Sequence, residues 1–367
     1  MTKEFKQKNK KSILRKDFNF FSRVGLKEKA VFTKNLAIML KSGLAVTESL
    51  DILADQASGK FKAAIEKIEK SIMAGNSLAA SMERHSKFFS DFYINTIKAG
   101  ETSGNLEKNL MNIAGRLSKQ KELNDKIKSA MFYPLIVLIL SFVMGLTMAF
   151  VVLPKITPIF IGLKIDLPLT TRALIWFSEF IKNNTPVVLT GIGIFLTFFT
   201  WLFKQKFFKP ILHYLFLHLP IVNKLSRYKN LSQFSGNLEA LLKSGLSIDE
   251  ALRITANTVE NFYYKRKIKK VAEKISQGGK LSDNLANYEK YFPKLTTSLI
   301  RVGEKSGNLE EELNNLSQIY EDEVNNAVKL IATAVEPILL IIIGVIVGGL
   351  ALSIITPIYK VTGNIYR

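Results

Sequence analysis

Five residues, Leu40-Lys41-Ser42-Gly43-Leu44, return as Leu242-Lys243-Ser244-Gly245-Leu246, and their neighbourhood returns with them. Phe32, Asn35, Leu36, Glu48 and Leu50 match Phe234, Asn237, Leu238, Glu250 and Leu252 at the same offset of 202 residues. Farther on, Gly100-Glu101-Thr102-Ser103-Gly104-Asn105-Leu106-Glu107 matches Gly303-Glu304-Lys305-Ser306-Gly307-Asn308-Leu309-Glu310 at an offset of 203, and Pro134 and Pro154 match Pro337 and Pro357. One inserted residue separates the two registers. A chain with this internal symmetry is restricted to two copies of one supersecondary unit, each opening polar and closing in a long apolar segment.

The 367 residues suit two such units without a third fold. A formal charge of +20 would alone raise nucleic acid as a partner, but it stands beside 47% hydrophobic residues, which suits a membrane protein. The positive charge is then explained by topology and by anionic lipid of the bilayer, and no nucleic acid is expected. Cysteine is absent, which excludes a disulfide framework, a thiolate metal site and a cysteine nucleophile.

In chain order, residues 1–26 are strewn with lysine, lack an apolar signal-peptide core, and predict a mobile basic arm. Residues 27–130 show helical periodicity without strand-like alternation, which predicts a first cytosolic helical bundle able to bury a core and fold alone. The uncharged run from Leu135 to Leu153 predicts a first transmembrane helix over 131–153. A connector over 154–186, containing Leu167-Pro168-Leu169-Thr170-Thr171-Arg172, leads to a second span over 187–203. Residues 204–333 repeat the bundle. Their opening stretch, Lys204 to Leu219, reads either as a helix on the membrane surface or as a core helix. A third span is expected over 334–358, with a short tail over 359–367. Lysine and arginine number about 25 in residues 1–130 and about 20 in 204–333, against about four in the connector and two after Tyr359. Basic loops stay in the cytosol, so the N-terminus is expected inside and the connector and C-terminus outside. The fold class is an all-α polytopic membrane protein with two repeated cytosolic bundles and three transmembrane helices.

No engine is visible. The nearest fragment to a phosphate-binding loop, Gly278-Gly279-Lys280-Leu281, lacks the upstream glycine spacing and the Ser or Thr that would hold magnesium. His85, His213 and His218 are far from any metal-ligand grouping, and no serine lies in a nucleophile elbow. No enzyme activity, cofactor or metal is expected. Within the spans only Glu336, beside Pro337 at the mouth of the third, could mark an ion path, and its counterpart in the first copy is Tyr133. Gly344 and Gly348 form a Gly-x-x-x-Gly pair that would let helices approach closely, within one chain or between chains.

The repeated glycines and glutamates suggest structural roles. Gly43 and Gly245 are expected to end helices in the left-handed conformation, with Leu44 as hydrophobic partner; the alternative is that they permit close helix packing. Ser247 to Glu250 fits a capping box, whereas the first copy has Ala45 there and Thr47 as the substitute cap. Gly307 is expected to close one helix, with Asn308, Glu310 and Glu311 opening the next. Glu304, and likewise Glu101, would then sit near a helix C-terminus, the wrong end for an anion, at a cost of roughly 0.3–1 kcal/mol. Either the carboxylate turns back to accept hydrogen bonds, from the next helix or a basic side chain, or it faces outward to meet a partner.

The Leu-x-x-Gly-Leu block and the Gly-Glu-x-Ser-Gly-x-Leu block (Gly100, Glu101, Gly104; Gly303, Glu304, Gly307) occur in both copies. With Tyr133-Pro134, Glu336-Pro337 and the Leu-Pro-x-x-Thr connector, they resemble the type II secretion system F family over about Phe32 to Pro357. The resemblance implies a multi-pass platform in the bacterial inner membrane. It also implies coupling to a hexameric cytosolic ATPase, pilin or pseudopilin subunits and other inner-membrane assembly proteins as partners, and a homo-oligomer. A small repeat-built transporter is the alternative, but the repeats of such proteins carry several spans with broken helices near the midplane.

Overall fold

The computed structural model describes residues 24–152, 183–205 and 222–365, with isolated residues between them. Among these, every regular element is a helix. The first copy comprises α1 (Leu26–Lys41), α2 (Val46–Gln56), α3 (Gly59–Met73), α4 (Leu78–Glu83), α5 (Asp91–Ser103) and α6 (Leu106–Thr147), the last followed by a π-helical turn, Met148–Val152. Then comes α7 (Thr185–Lys204). The second copy comprises α8 (Val222–Lys243), α9 (Ile248–Thr258), α10 (Phe262–Ile275), α11 (Leu281–Ala286), α12 (Lys294–Ser306) and α13 (Leu309–Ile365).

The two copies bury matching residues. Leu36, Leu50, Ile65, Ile97 and Leu110 are fully enclosed in the first, as are Leu238, Leu252, Ile268, Ile300 and Leu313 in the second. Each such side chain contributes about 1.5–3 kcal/mol of burial. Phe32 meets Phe61 edge-on at 5.3 Å, and Phe234 meets Phe292, the counterpart of Phe89 rather than of Phe61, edge-on at 5.3 Å. The aromatic quadrupole favours that edge-on arrangement.

The chain separates into two compact units. One gathers the described residues up to Asp125 with Ser226–Val324; the other holds the described residues of 126–225 and 325–365. The sequence suggests a separate bundle for each copy, over 27–130 and 204–333, whereas the structure gathers the polar parts of both copies into one unit. A polar seam between them, described below, is the physical reason.

In the second unit large apolar side chains stand exposed, among them Leu140, Met144, Ile194 and Val345. Among the described residues, three helical stretches are long and apolar enough to cross a membrane: Leu106–Val152, Thr185–Leu202 and Leu309–Gly349. The expected junctions between bundle and span, at 130/131 and 333/334, fall inside α6 and α13, which run on without interruption. Pro134 lies within α6. A proline there removes one intrahelical donor but need not end the helix when its surroundings hold it. The segment 359–367, expected as a tail, continues α13 as far as Ile365. Most of the basic arm, the Leu167–Thr171 part of the connector, most of the Lys204 to Leu219 stretch, and His213 and His218 lie outside the described residues.

Candidate functional site

Each residue of the repeated Gly-Glu-x-Ser-Gly-Asn-Leu block has a distinct physical task at one corner. Gly104 ends α5 with φ +71° and Gly307 ends α12 with φ +73°, the left-handed region where only glycine is free of strain. Asn105 N–H then returns to the Gly100 carbonyl at 2.9 Å, and Asn308 N–H to the Gly303 carbonyl at 3.0 Å. The next helix folds back so tightly that a Cβ on Gly100 would lie 3.0 Å from Leu106 Cα, and one on Gly303 2.9 Å from Leu309 Cα. Both glycines are therefore required by close approach rather than by φ.

The glutamates reach away from this corner. Glu101 accepts from the backbone N–H groups of Leu78 at 2.6 Å and Ala79 at 3.0 Å, the first two residues of α4. Glu304 accepts in the same way from Leu281 at 2.5 Å and Ser282 at 3.1 Å, at the start of α11. The donors thus lie on the short helix that precedes each glutamate in sequence, not on the one that follows. The carboxylate escapes the unfavourable C-terminal end of its own helix by occupying the N-terminal end of another, where free N–H groups point outward. In the first copy Ser77 also accepts from Ala80 N–H at 3.1 Å; in the second, Lys280 takes that position and offers no side-chain acceptor.

At the repeated Leu-Lys-Ser-Gly-Leu block, Gly43 has φ +85° and Gly245 φ +90°. Leu44 N–H bonds to the Met39 carbonyl and Gly43 N–H to Leu40; Leu246 and Gly245 do the same with Leu241 and Leu242. This is the paired closure of a helix whose last carbonyls would otherwise be free. A Cβ on either glycine would meet nothing within 4 Å, so backbone conformation, not close helix packing, demands glycine. The capping-box expectation changes: Ser247 is the N-cap of α9 by backbone geometry but makes no capping bond, and its hydroxyl instead helps hold the Asp249 carboxyl below its ordinary range. In the first copy Ala45, not Thr47, is the N-cap of α2.

The seam between the copies centres on Arg116 of α6. Its Nε donates to Asn237 Oδ1 at 2.9 Å, its Nη2 to the Ser232 carbonyl at 2.9 Å, and its Nη1 to Glu321 Oε1 at 3.2 Å and Ser317 Oγ at 3.5 Å. Burial pulls the guanidinium pKa down, and the Glu321 and Glu239 carboxylates oppose that pull. Lys119 adds a second cation 3.8 Å from Glu321. Gly236 makes the seat: a Cβ there would stand 2.5 Å from the guanidinium carbon. Nearby, Asn257 Nδ2 of α9 donates to Asp91 Oδ2 of α5 at 3.3 Å. A cavity of about 410 Å³ lies beside the seam, lined by Lys29, Tyr93, Arg116, Gln233 and Asn257 among others.

The motif reading of the sequence missed Arg116, because it followed agreement between the copies and Arg116 is a disagreement. Its counterpart is Ile319, and Gly236 stands opposite Lys34. Other expected sites remain apart from this seam. Glu336, Pro337 and Tyr133 are exposed on the long helices. A Cβ on Gly344 or Gly348 meets nothing within 4 Å among the described residues. The described residues hold no cluster of His, Asp and Glu suited to a metal.

Comparison with known proteins places the chain. The sequence model of the family described as Type II secretion system (T2SS), protein F, matches residues 32–154 and again 234–357. A type IV pilus assembly protein PilC of Thermus thermophilus is 34% identical over 343 residues, which is 93% of this chain and 84% of that protein. A protein of the same name from Pseudomonas aeruginosa is 30% identical over 92% of this chain and 90% of its own length. The type II secretion system protein F of Pseudomonas aeruginosa is 29% identical over 90% of this chain and 81% of that protein. With both halves matched by one family model, the chain belongs to the type II secretion system protein F family.

Proposed function

We propose that this chain is the inner-membrane platform of a type IV pilus or type II secretion machine, coupling a hexameric cytosolic ATPase to the polymerisation of pilin or pseudopilin subunits. The observation that carries the reading is the construction of α6 and α13. Each begins with residues of the polar unit's core, Leu110 and Ile113 or Leu313 and Leu316, and continues unbroken into an apolar stretch of membrane-spanning length. Motion imposed on the polar unit would travel along two hydrogen-bonded helices into the bilayer. The sequence has no phosphate-binding loop, so the energy comes from a partner. The names of the relatives, pilus assembly proteins and a secretion protein, support the same assignment. The charge distribution supports a cytosolic polar unit with the connector and C-terminus outside.

Two measurements on the full chain in membranes test this. Stoichiometric co-purification with an assembly ATPase and loss of filaments or secretion on deletion of the chain are expected. Solute flux in liposomes without ATPase binding would replace the platform with the transporter. For topology, alkaline phosphatase fused after Lys164 or Arg367 should be active and after Lys119 or Gln277 inactive; activity at either of the latter two overturns the orientation.

A further inference from the structure

The contact between the two copies is head to tail rather than reciprocal. The second copy offers α8, α9 and the Ser317–Glu321 side of α13, and the first copy fills them with α5 and the Arg116 stretch of α6; Ile319 lies on the other side of α13 and stays open. The mirror contact, α1 and α2 against α12 and α13, is not made: the counterparts of Asp91 and Asn257 are Lys294 and Asp55, whose side chains are 86% and 81% exposed. Each copy therefore has one used face and one unused face.

The unused faces are apolar where the used ones are covered. Val31 is 49% exposed, whereas its counterpart Gln233 is 6% exposed; Ile38 and Ile52 are also open where Ala240 and Ile254 are buried. On the other side Leu295 is 47% exposed against 5% for Phe92, and Ile319 is open where Arg116 is enclosed. A groove of about 400 Å³ runs along the open α1–α2 face, lined by Val31, Asn35, Leu53 and Phe61 among others.

We propose that the α1–α2 face of one molecule receives the α12–α13 face of a second copy of this chain, repeating between molecules the head-to-tail contact that its halves make within one. Three observations fit a second copy. The proposed contact extends an interface already built from equivalent elements. Apolar Val31, Ile38 and Ile52 would meet apolar Leu295 and Ile319, removing from water surface that soluble faces rarely leave open in a patch. Where Asp91 meets Asn257 within the chain, the equivalent pair between chains is Lys294 with Asp55, of opposite charge, each held for now by an exposed neighbour, Glu289 or Lys62. A heterologous contact of this kind builds a ring when its rotation closes.

The absence of cysteine makes the test direct. Two differently tagged full-length chains, one carrying Val31→Cys and the other Ile319→Cys, are co-expressed and their membranes oxidised. A disulfide-linked heterodimer is expected, several-fold above a Lys70→Cys with Ile319→Cys control and above the Val31→Cys homodimer. Asp55→Lys or Lys294→Asp alone should reduce the yield, and the two together should restore it. Three results would overturn the proposal: a dominant Val31→Cys homodimer, no product above control from chains that remain helical and monodisperse, or a yield indifferent to all the charge changes.

Discussion

α1 and α8 share Phe, Asn and Leu at the same places and end in the same glycine closure, yet α1 is open along one side while α8 is buried almost all round from Asn230 to Leu238. The difference separates two kinds of residue. Positions that agree between the copies, such as Gly100 and Gly303 or Glu101 and Glu304, hold each copy's own corner. Positions that disagree, such as Arg116 against Ile319 and Gly236 against Lys34, make the joint between copies. A duplicated protein that joins its halves head to tail must break its symmetry at the joint, because the two faces in contact are not the same face.

The largest effect should follow from breaking the joint. Arg116→Ala leaves Glu321 with Lys119 at 3.8 Å and the neutral Ser317 hydroxyl at 3.2 Å, and strips Asn237 Oδ1 of its guanidinium donor, and should cost about 3 kcal/mol of stability. Urea denaturation of the detergent-solubilised full chain, followed by helical circular dichroism, reads this directly. Lysine should not rescue, since one ammonium cannot serve acceptors fixed on the planar fork of a guanidinium. Stability unchanged to within about 0.5 kcal/mol, as for an ordinary surface substitution, would mean the seam does not hold the copies together.

The corner comes next and sharpens the comparison. Glu304→Ala removes two charge-assisted hydrogen bonds and should cost about 2 kcal/mol. Glu101→Ala should cost less, because Ser77 still serves α4 whereas α11 has no side-chain cap. The reverse order in melting temperature would contradict the assignment. An unchanged melting temperature with lost filament assembly would assign Glu101 to a partner contact instead. Smallest are the glycine closures: Gly43→Ala or Gly245→Ala should cost about 1 kcal/mol, with asparagine milder than valine because it tolerates the left-handed conformation. Equal losses from asparagine and valine would return the glycines to a packing role.

Much of this was legible in residues. The periodicity and the uncharged runs predict an all-helical chain with three helices of membrane-spanning length, because helix period and apolar length follow from local composition. The glycine closures were legible because a left-handed residue has few side-chain solutions. The donors for Glu101 and Glu304 were not, since they lie 22 and 23 residues upstream and nothing local to the glutamate names them. The continuity of α6 was also hidden: Pro134 reads as a boundary in sequence, and only the surroundings decide whether a helix continues through it. The gathering of both polar parts into one unit rests on one arginine, one glycine and a few polar partners contributed by distant parts of the chain. No periodic signal carries such a contact.

The head-to-tail joint is tested most directly by a cysteine pair placed in the otherwise cysteine-free full chain, Asp91→Cys with Asn257→Cys, where the native side chains approach to 3.3 Å across 166 residues of sequence. Oxidation, or a short bifunctional maleimide, should close a loop within one chain and make the denatured protein migrate faster than its reduced form. Neither single substitution should shift. Failure to form this intrachain link, or a product found only between chains, would contradict the joining of the two copies within one molecule.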